Sequence, residues 1–332
     1  MTLDATYLAL ADLRARAKRR LPHFVWEYLD SGTGVDRVAA RNRAVLDAIE
    51  FMPAILRGEI DASTEVEFLG ATLDMPVGIA PVGMSGLIWP DAERILARAA
   101  SKAGIPYTLS TVASQTPDDV SSALGEHAWF QLYPPRDPEV RRDMLRRAWE
   151  AGFHTAVLTA DLPAASRRER QIRSGLTQPP KLTPRILAQV AIRPAWAMAM
   201  AAGTSIDRGM GMGMAPLEKA GVDALWVSNH GGRQFDGAPS GLTMLPKIRA
   251  KTDLPLVFDG AVEGGLDILR AIAMGADLVM LGRGWHYALG AMGRDGPAHL
   301  AHILKSDLIS NMGQMALSRV WDVRGKIIES LE

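Results

Sequence analysis

The chain has 332 residues, 48% of them hydrophobic, enough to bury one large core. Thirty-seven basic residues balance 37 acidic ones, so no overall field draws the chain to nucleic acid or an anionic surface. The absence of cysteine excludes disulfides, thiolate nucleophiles, iron–sulfur clusters and cysteine-bound zinc, and agrees with a cytoplasmic setting.

The N-terminal stretch MTLDATYLALADLRARAKRR lacks the basic start, apolar middle and small-residue cleavage site of a signal peptide. It reads as an amphipathic helix with Leu3, Tyr7, Leu10 and Leu13 on one side. From residue 70 onward, short apolar runs alternate with helix-like segments. Strands are predicted at 76–81, 106–111, 128–133 and 155–163, and again at 224–230, 255–260 and 277–282. Helices are predicted at 90–104, 116–125, 137–152, 242–252 and 265–275. Strict alternation means parallel strands joined by right-handed crossovers. Most of these strands end in polar or small residues: SerThr, GlnLeuTyr, ThrAlaAsp, SerAsnHis, AspGly, GlyArg. Active residues at the C-terminal end of nearly every strand are the mark of a (β/α) barrel, whereas an open sheet gathers its ligand at one switch point.

The count is seven strands, not eight. Residues 167–221 hold no convincing strand, and GMGMGM (209–214) is low in complexity. The expected architecture is a (β/α)8 barrel in one domain, 1–332, with an N-terminal segment over 1–70 and the fifth strand and adjoining helix missing or replaced within 167–221. The apolar stretch 186–203 is broken by Arg193 and Pro194, so it does not span a membrane; it is either a membrane-contacting segment or a lid or core segment.

The chemistry concentrates in VSNHGGRQFDG. Two glycines after His230 let the backbone turn sharply, placing an imidazole at the rim with Arg233 on the same turn. Histidine is the usual base near neutral pH, and arginine grips a carboxylate with two parallel hydrogen bonds. Together they suggest an acid substrate that loses a proton or hydride beside its carboxylate. Asp161, ending the fourth predicted strand, is placed to hold an imidazolium, or else caps a turn before Pro163. Arg168 is a second carboxylate contact or a solvated charge within RRER. Tyr28 and Tyr133 face the substrate or simply pack. Gly282 and Arg283 suit a phosphate after the last strand, and Asp259 and Gly260 close the strand before it. No nucleotide, serine-hydrolase or zinc-protease motif is present, and no metal site is expected.

SNHGGRQFDGAPS (228–240) strongly resembles the signature of the FMN-dependent α-hydroxy-acid dehydrogenases and oxidases, such as the glycolate, lactate and mandelate enzymes. The likeness extends over LPHFVWEYLDSG, IAPVGMSGLIWPDAERILARAASKAGIPYTLSTVAS, WFQLY, LTADLPAASRRERQIRSGL and LVFDGAVEGGLDILRAIAMGADLVMLGR. The resemblance implies oxidation of an L-2-hydroxy acid to a 2-oxo acid with electrons passed to FMN, then to oxygen, a quinone or another acceptor. It casts His230 as the base, Asp161 as its partner, Arg233 and Arg168 as carboxylate ligands, and Tyr28 and Tyr133 as groups near the substrate. Ala80, Pro81, Val82, Gly83, Ser110, Gln131, Thr159 and Ser228 resemble flavin contacts, and Asp259, Gly260, Gly282 and Arg283 the ribityl and phosphate end. It also implies a homo-oligomer, tetrameric as in the family, in the cytoplasm or at the inner face of the membrane. Two departures stand out. The family's strand between the fourth and the histidine-bearing strand, with its flavin-tuning lysine, is missing here, and neither Lys181 nor Lys219 lies at a strand end. Glu263 occupies a phosphate-loop position where the family usually has arginine, so it must turn to solvent for a phosphate to sit there. Two other outcomes remain open: a decayed, non-catalytic barrel serving as a binding or partner subunit, and a flavin-free lyase acting on a 2-oxo acid.

Overall fold

All seven predicted strands form, each shorter than its apolar run. The computed structural model describes residues 6–160, 164–177, 181–202 and 221–328. A small hairpin comes first: β1 (Val66–Phe68) pairs antiparallel with β2 (Ala71–Leu73), turning through Leu69 and Gly70. Both turn residues have positive φ, the conformation whose twist matches paired strands. The parallel strands follow: β3 (Val77–Ile79), β4 (Tyr107–Ser110), β5 (Ala128–Leu132), β6 (Thr155–Leu158), β7 (Leu225–Val227), β8 (Leu256–Asp259) and β9 (Leu278–Leu281). Their order in the sheet is β6-β5-β4-β3-β9-β8-β7.

The sheet is curled. Trp129 on β5 and Trp226 on β7 stand five strands apart, a span of about 24 Å in a flat sheet. Their ring centroids lie 6.5 Å apart, edge to face, so the two ends of the sheet approach each other around a common bore. Phe68 of the hairpin packs on Trp129 at 5.9 Å. Among the described residues no ladder joins β6 to β7, the opening that loss of a fifth strand leaves. β4, β5 and β9 are buried along their whole length. β6 alternates between half-buried and exposed, with Leu158 47% exposed, as an outer strand should. Residues 203–220 lie outside the described residues, and with them GMGMGM and any replacement strand.

The helices follow local rules. Asp137 accepts from the Glu139 amide at 2.8 Å ahead of Pro138, opening the helix Pro138–Glu150. In Gly265–Ala273, Ile268, Leu269 and Ile272 are buried on the sheet-facing side, and Gly275, at φ 110°, reverses the chain. The helix predicted over 116–125 is only Pro117–Val120 continued by a 3-10 turn. The N-terminal helix starts at Leu10, not at the terminus, because Asp12 draws the Leu8 and Ala9 amides into a turn. Tyr7 therefore precedes the helix, while Leu10 and Leu13 are buried as expected; Leu3 lies outside the described residues.

The apolar stretch 186–203 is two helices, Pro184–Ala191 and Pro194–Ala202, broken at Arg193 and Pro194. One side docks on the N-terminal region. Gln189 accepts from the Phe24 amide at 2.8 Å, Arg193 donates to the Leu21 carbonyl at 3.1 Å, and Trp196 donates to the Ile88 carbonyl at 3.1 Å. Ile186 and Trp196 are buried, whereas Leu182, Leu187, Ile192 and Met198 face outward. No helix among the described residues is long and apolar enough to cross a membrane.

Candidate active site

The site lies at the C-terminal ends of the parallel strands, where the sequence places its polar residues. After β7 the backbone passes through His230, Gly231 and Gly232 at φ 57°, 61° and 76°. Three consecutive left-handed residues explain the glycines, since a side chain rarely adopts that conformation. A Cβ on Gly232 would also come within 3.0 Å of the Ala39 amide nitrogen. Ser228 Oγ accepts from the His230 amide at 2.9 Å, and Asn229 exchanges hydrogen bonds with Asn42 at 2.8 and 3.0 Å. This turn sets His230 Nε2 3.4 Å from the Tyr133 hydroxyl, across the bore.

Behind the imidazole gather three guanidinium groups. Arg233 donates to the carbonyls of Tyr28 and Ser31 at 2.8 and 2.9 Å, and its Cζ lies 5.3 Å from the Tyr28 ring centre. Burial, followed by repulsion from Arg168 and then Arg283, pushes the Arg233 guanidinium down to about 10. Tyr28 donates to the Gly83 carbonyl at 2.6 Å; burial raises its hydroxyl while Arg233 and Arg168 oppose the shift. Arg168 is half-buried, its amide donating to Thr33 Oγ at 3.4 Å and its Nε to Ser166 at 3.1 Å, whereas Arg167 is 85% exposed. Of the two adjacent arginines in RRER, only one turns inward. Arg283 donates to the Gly231 carbonyl. Like charges so close repel one another until an anion sits among them.

Along the strand ends runs a polar row. Ser110 donates to Gln131 Oε1 at 3.1 Å, and Gln131 Nε2 donates to Thr159 Oγ at 2.8 Å. Asp259 accepts from Ser228 at 2.8 Å and from the Trp226 indole at 2.9 Å. Gly260 and Ala261 follow, both at positive φ. The Ala80 amide donates to the Leu281 carbonyl at 2.9 Å, bringing the segment Ala80, Pro81, Val82, Gly83 beside Gly282. Gly282 precedes the helix Arg283–Met292, whose first residue is the third guanidinium.

The structure thus brings together His230, Tyr133, Tyr28, Arg233, Arg168 and Arg283, with Ser110, Gln131 and Thr159 on one flank and Ser228 and Asp259 on another. Asp161 lies outside the described residues, as does Lys219. Lys181 is exposed, away from any strand end. Glu263 is exposed too, its amide donating to Asp267 at 3.0 Å.

Three features were not visible in sequence. Trp226 orients Asp259 although it reads as one more apolar strand residue. His286, hidden in helix Arg283–Met292, donates from Nδ1 to the Gly282 carbonyl at 2.9 Å and accepts at Nε2 from Ser85 at 2.8 Å. It ties the loop after β3 to the loop after β9. Arg170, which reads as a solvated charge, contacts three carboxylates. Spacing could have flagged only the last, since it stands two residues from Arg168.

Known proteins resemble the chain over most of its length. The sequence model of the FMN-dependent dehydrogenase family matches residues 17–216 and 213–330, in two pieces. The L-lactate dehydrogenase of Stenotrophomonas maltophilia (strain R551-3) is 34% identical over 367 residues, covering 95% of this chain and 97% of that one. Since 95% of 332 is about 315, some 52 aligned positions of those 367 have no counterpart here. The 4-hydroxymandelate oxidase of Amycolatopsis orientalis is 34% identical, covering 93% of this chain and 94% of that one. The crystal structure of the monotopic membrane protein (S)-mandelate dehydrogenase superposes with a TM-score of 0.88 at 28% identity, covering 97% of this chain and 99% of the other. The fold is that of the TIM-barrel flavin enzymes, with seven parallel strands among the described residues, and the chain belongs to the FMN-dependent dehydrogenase family.

Proposed function

We infer that the protein oxidises an L-2-hydroxy acid of the lactate or mandelate type to the 2-oxo acid, with His230 as the base. The observation that carries this reading is the contact of His230 with Tyr133, on the same turn as an Arg233 close enough to Arg168 to feel its charge. Whether the proton leaves the α-carbon or the hydroxyl, it needs an imidazole beside it and a carboxylate held still. Arg233 and Arg168 hold the carboxylate, and the cost of packing them together falls when the anion binds. Tyr133 orients the hydroxyl end of the substrate next to His230, and Tyr28 supports Arg233 from below. Asp161 is the proposed partner that steadies the protonated imidazole.

The donor set also suits FMN. Ser110, Gln131 and Thr159 offer alternating donors and acceptors to the edge of a planar ring. Asp259 accepts from hydroxyls of a ribityl chain, and Gly260, Gly282 and Arg283 at a helix N-terminus suit a phosphate. Ala80, Pro81, Val82, Gly83 and Ser228 complete the proposed contact set. When bound there, FMN takes up the two electrons that the substrate loses.

Purified protein carrying flavin should reduce a dye with lactate, glycolate or mandelate, and His230→Gln should abolish that activity; an unchanged rate rules out His230 as the base. Leu182, Leu187, Ile192 and Met198 face outward, as does Arg185, which supports peripheral contact with an anionic membrane. Co-sedimentation with anionic vesicles, lost on Leu187→Glu with Met198→Glu, tests it. One domain over 1–332 and a homo-oligomer complete the reading, with size-exclusion mass the check on the latter.

A further inference from the structure

The two loops that carry the carboxylate-binding arginines leave the sheet on opposite sides of its opening. Arg168 follows β6, and Arg233 follows β7, the two outer strands. In a sheet that closes, a ladder would fix one relative to the other. Among the described residues that ladder is missing, yet both loops are bonded to the same segment of chain, residues 27–36.

On the β6 side three successive residues reach it. The Arg168 amide donates to Thr33 Oγ at 3.4 Å, and Glu169 accepts from the Gly34 amide at 2.8 Å. Arg170 donates to Glu27 at 2.7 and 3.1 Å, to Asp30 at 3.1 Å and to Asp36 at 2.6 Å. Glu27 and Asp30 are buried, so these bonds are shielded from water. On the β7 side, the Thr33 amide donates to the Gly232 carbonyl at 3.1 Å, and Arg233 donates to the Tyr28 and Ser31 carbonyls. A Cβ on Gly32 would meet the Gly232 carbonyl oxygen at 2.8 Å, so the two backbones are in contact. Asp30 accepts in addition from Arg14 at 2.7 Å and from Tyr287 at 2.8 Å, one helical turn beyond Arg283.

We propose that residues 27–36 act as a clasp across the open side of the sheet, and that Arg170 is the positioning residue that locks it. The Arg170 guanidinium is engaged by Glu27, Asp30 and Asp36, and so fixes the loop of Arg168 against the segment that holds Arg233 and Tyr28. The inference rests on the reading of Arg168 and Arg233 as carboxylate ligands, but its structural half can be measured without turnover.

Hydrogen exchange in the purified protein should show Arg170→Met accelerating residues 27–38, 164–177 and 221–236 together, while β3, β4 and β9 stay protected. The same variant should raise KM for the 2-hydroxy acid about tenfold or more with a smaller change in kcat, because the loosened arginines bind before they react. Arg170→Lys should restore part of the loss. Arg249→Met, which breaks the ion pair with Asp277 at the far end of β8 and β9, should lower Tm without moving KM. Should Arg170→Met fail to fold, Asp36→Asn removes one contact and is judged by the same exchange pattern. Acceleration confined to 164–177, or an unmoved KM in a folded variant, overturns the clasp. A wild-type protein without activity would sink the catalytic reading and leave the exchange result to decide the structural one.

Discussion

At the scale of single residues, charge decides how the site works with pH. Arg233 is an ordinary guanidinium brought down to about 10 by burial and by Arg168. Its folded value lies below that of a free guanidinium, so above about 10 the unfolded chain still binds the extra proton while the folded one does not. The strain of the buried cation is thus relieved as pH rises, while the carboxylate loses its ligand. The expected outcome is that kcat/KM falls as pH passes about 10, with kcat nearly flat, in steady-state rates from pH 8 to 11. An Arg233→Lys variant should bind the acid at least tenfold more weakly, because an ammonium cannot supply the paired geometry. VSNHGGRQ made His230 and Arg233 legible from sequence because each glycine in it answers a backbone demand. Spacing from Arg168 could flag Arg170, but only the fold reveals that Glu27, Asp30 and Asp36, more than a hundred residues earlier, stand ready to meet it.

At the scale of elements, the helix Arg283–Met292 joins the phosphate end of the site to the loop after β3 through one imidazole. Burial holds His286 down to about 4, so it is neutral near pH 7. An unfolded histidine takes up its proton near 6.5, so stability should fall as pH drops from about 6.5 to about 4 and level off below that. The loss attributable to this group is about 3 kcal/mol, using 1.36 kcal/mol per unit. Denaturant unfolding at several pH values should show a shallower acid slope for His286→Gln than for the wild type. Strand positions were readable because a parallel strand buried on both faces leaves a continuous apolar run. Helix ends were less so: the start at Leu10 depends on Asp12 capturing two amides, a local contest that periodicity does not register.

At the scale of the whole molecule, the sheet formed by the described residues has two outer strands where a closed barrel has none. β6 and β7 should exchange their amides faster than β3 and β9, which lie at the sheet's centre. A cofactor held across such a sheet should dissociate more readily. After dialysis, absorbance in the flavin bands is expected to report less than one FMN per chain; a fully loaded protein would show that the opening does not weaken binding. The shortfall of one strand could be counted in the sequence, but the bonds that link the loops after β6 and β7 could not, because they come from side chains far apart in the chain.

The pair of indoles that meet inside the bore gives the molecule its own optical gauge. Trp129 and Trp226 belong to strands far apart in the sheet, and their transition dipoles couple only while the sheet stays rolled. Circular dichroism should therefore carry a paired signal of opposite signs that vanishes in Trp226→Phe, and its loss in any other variant would announce that the roll has sprung open before the helices melt.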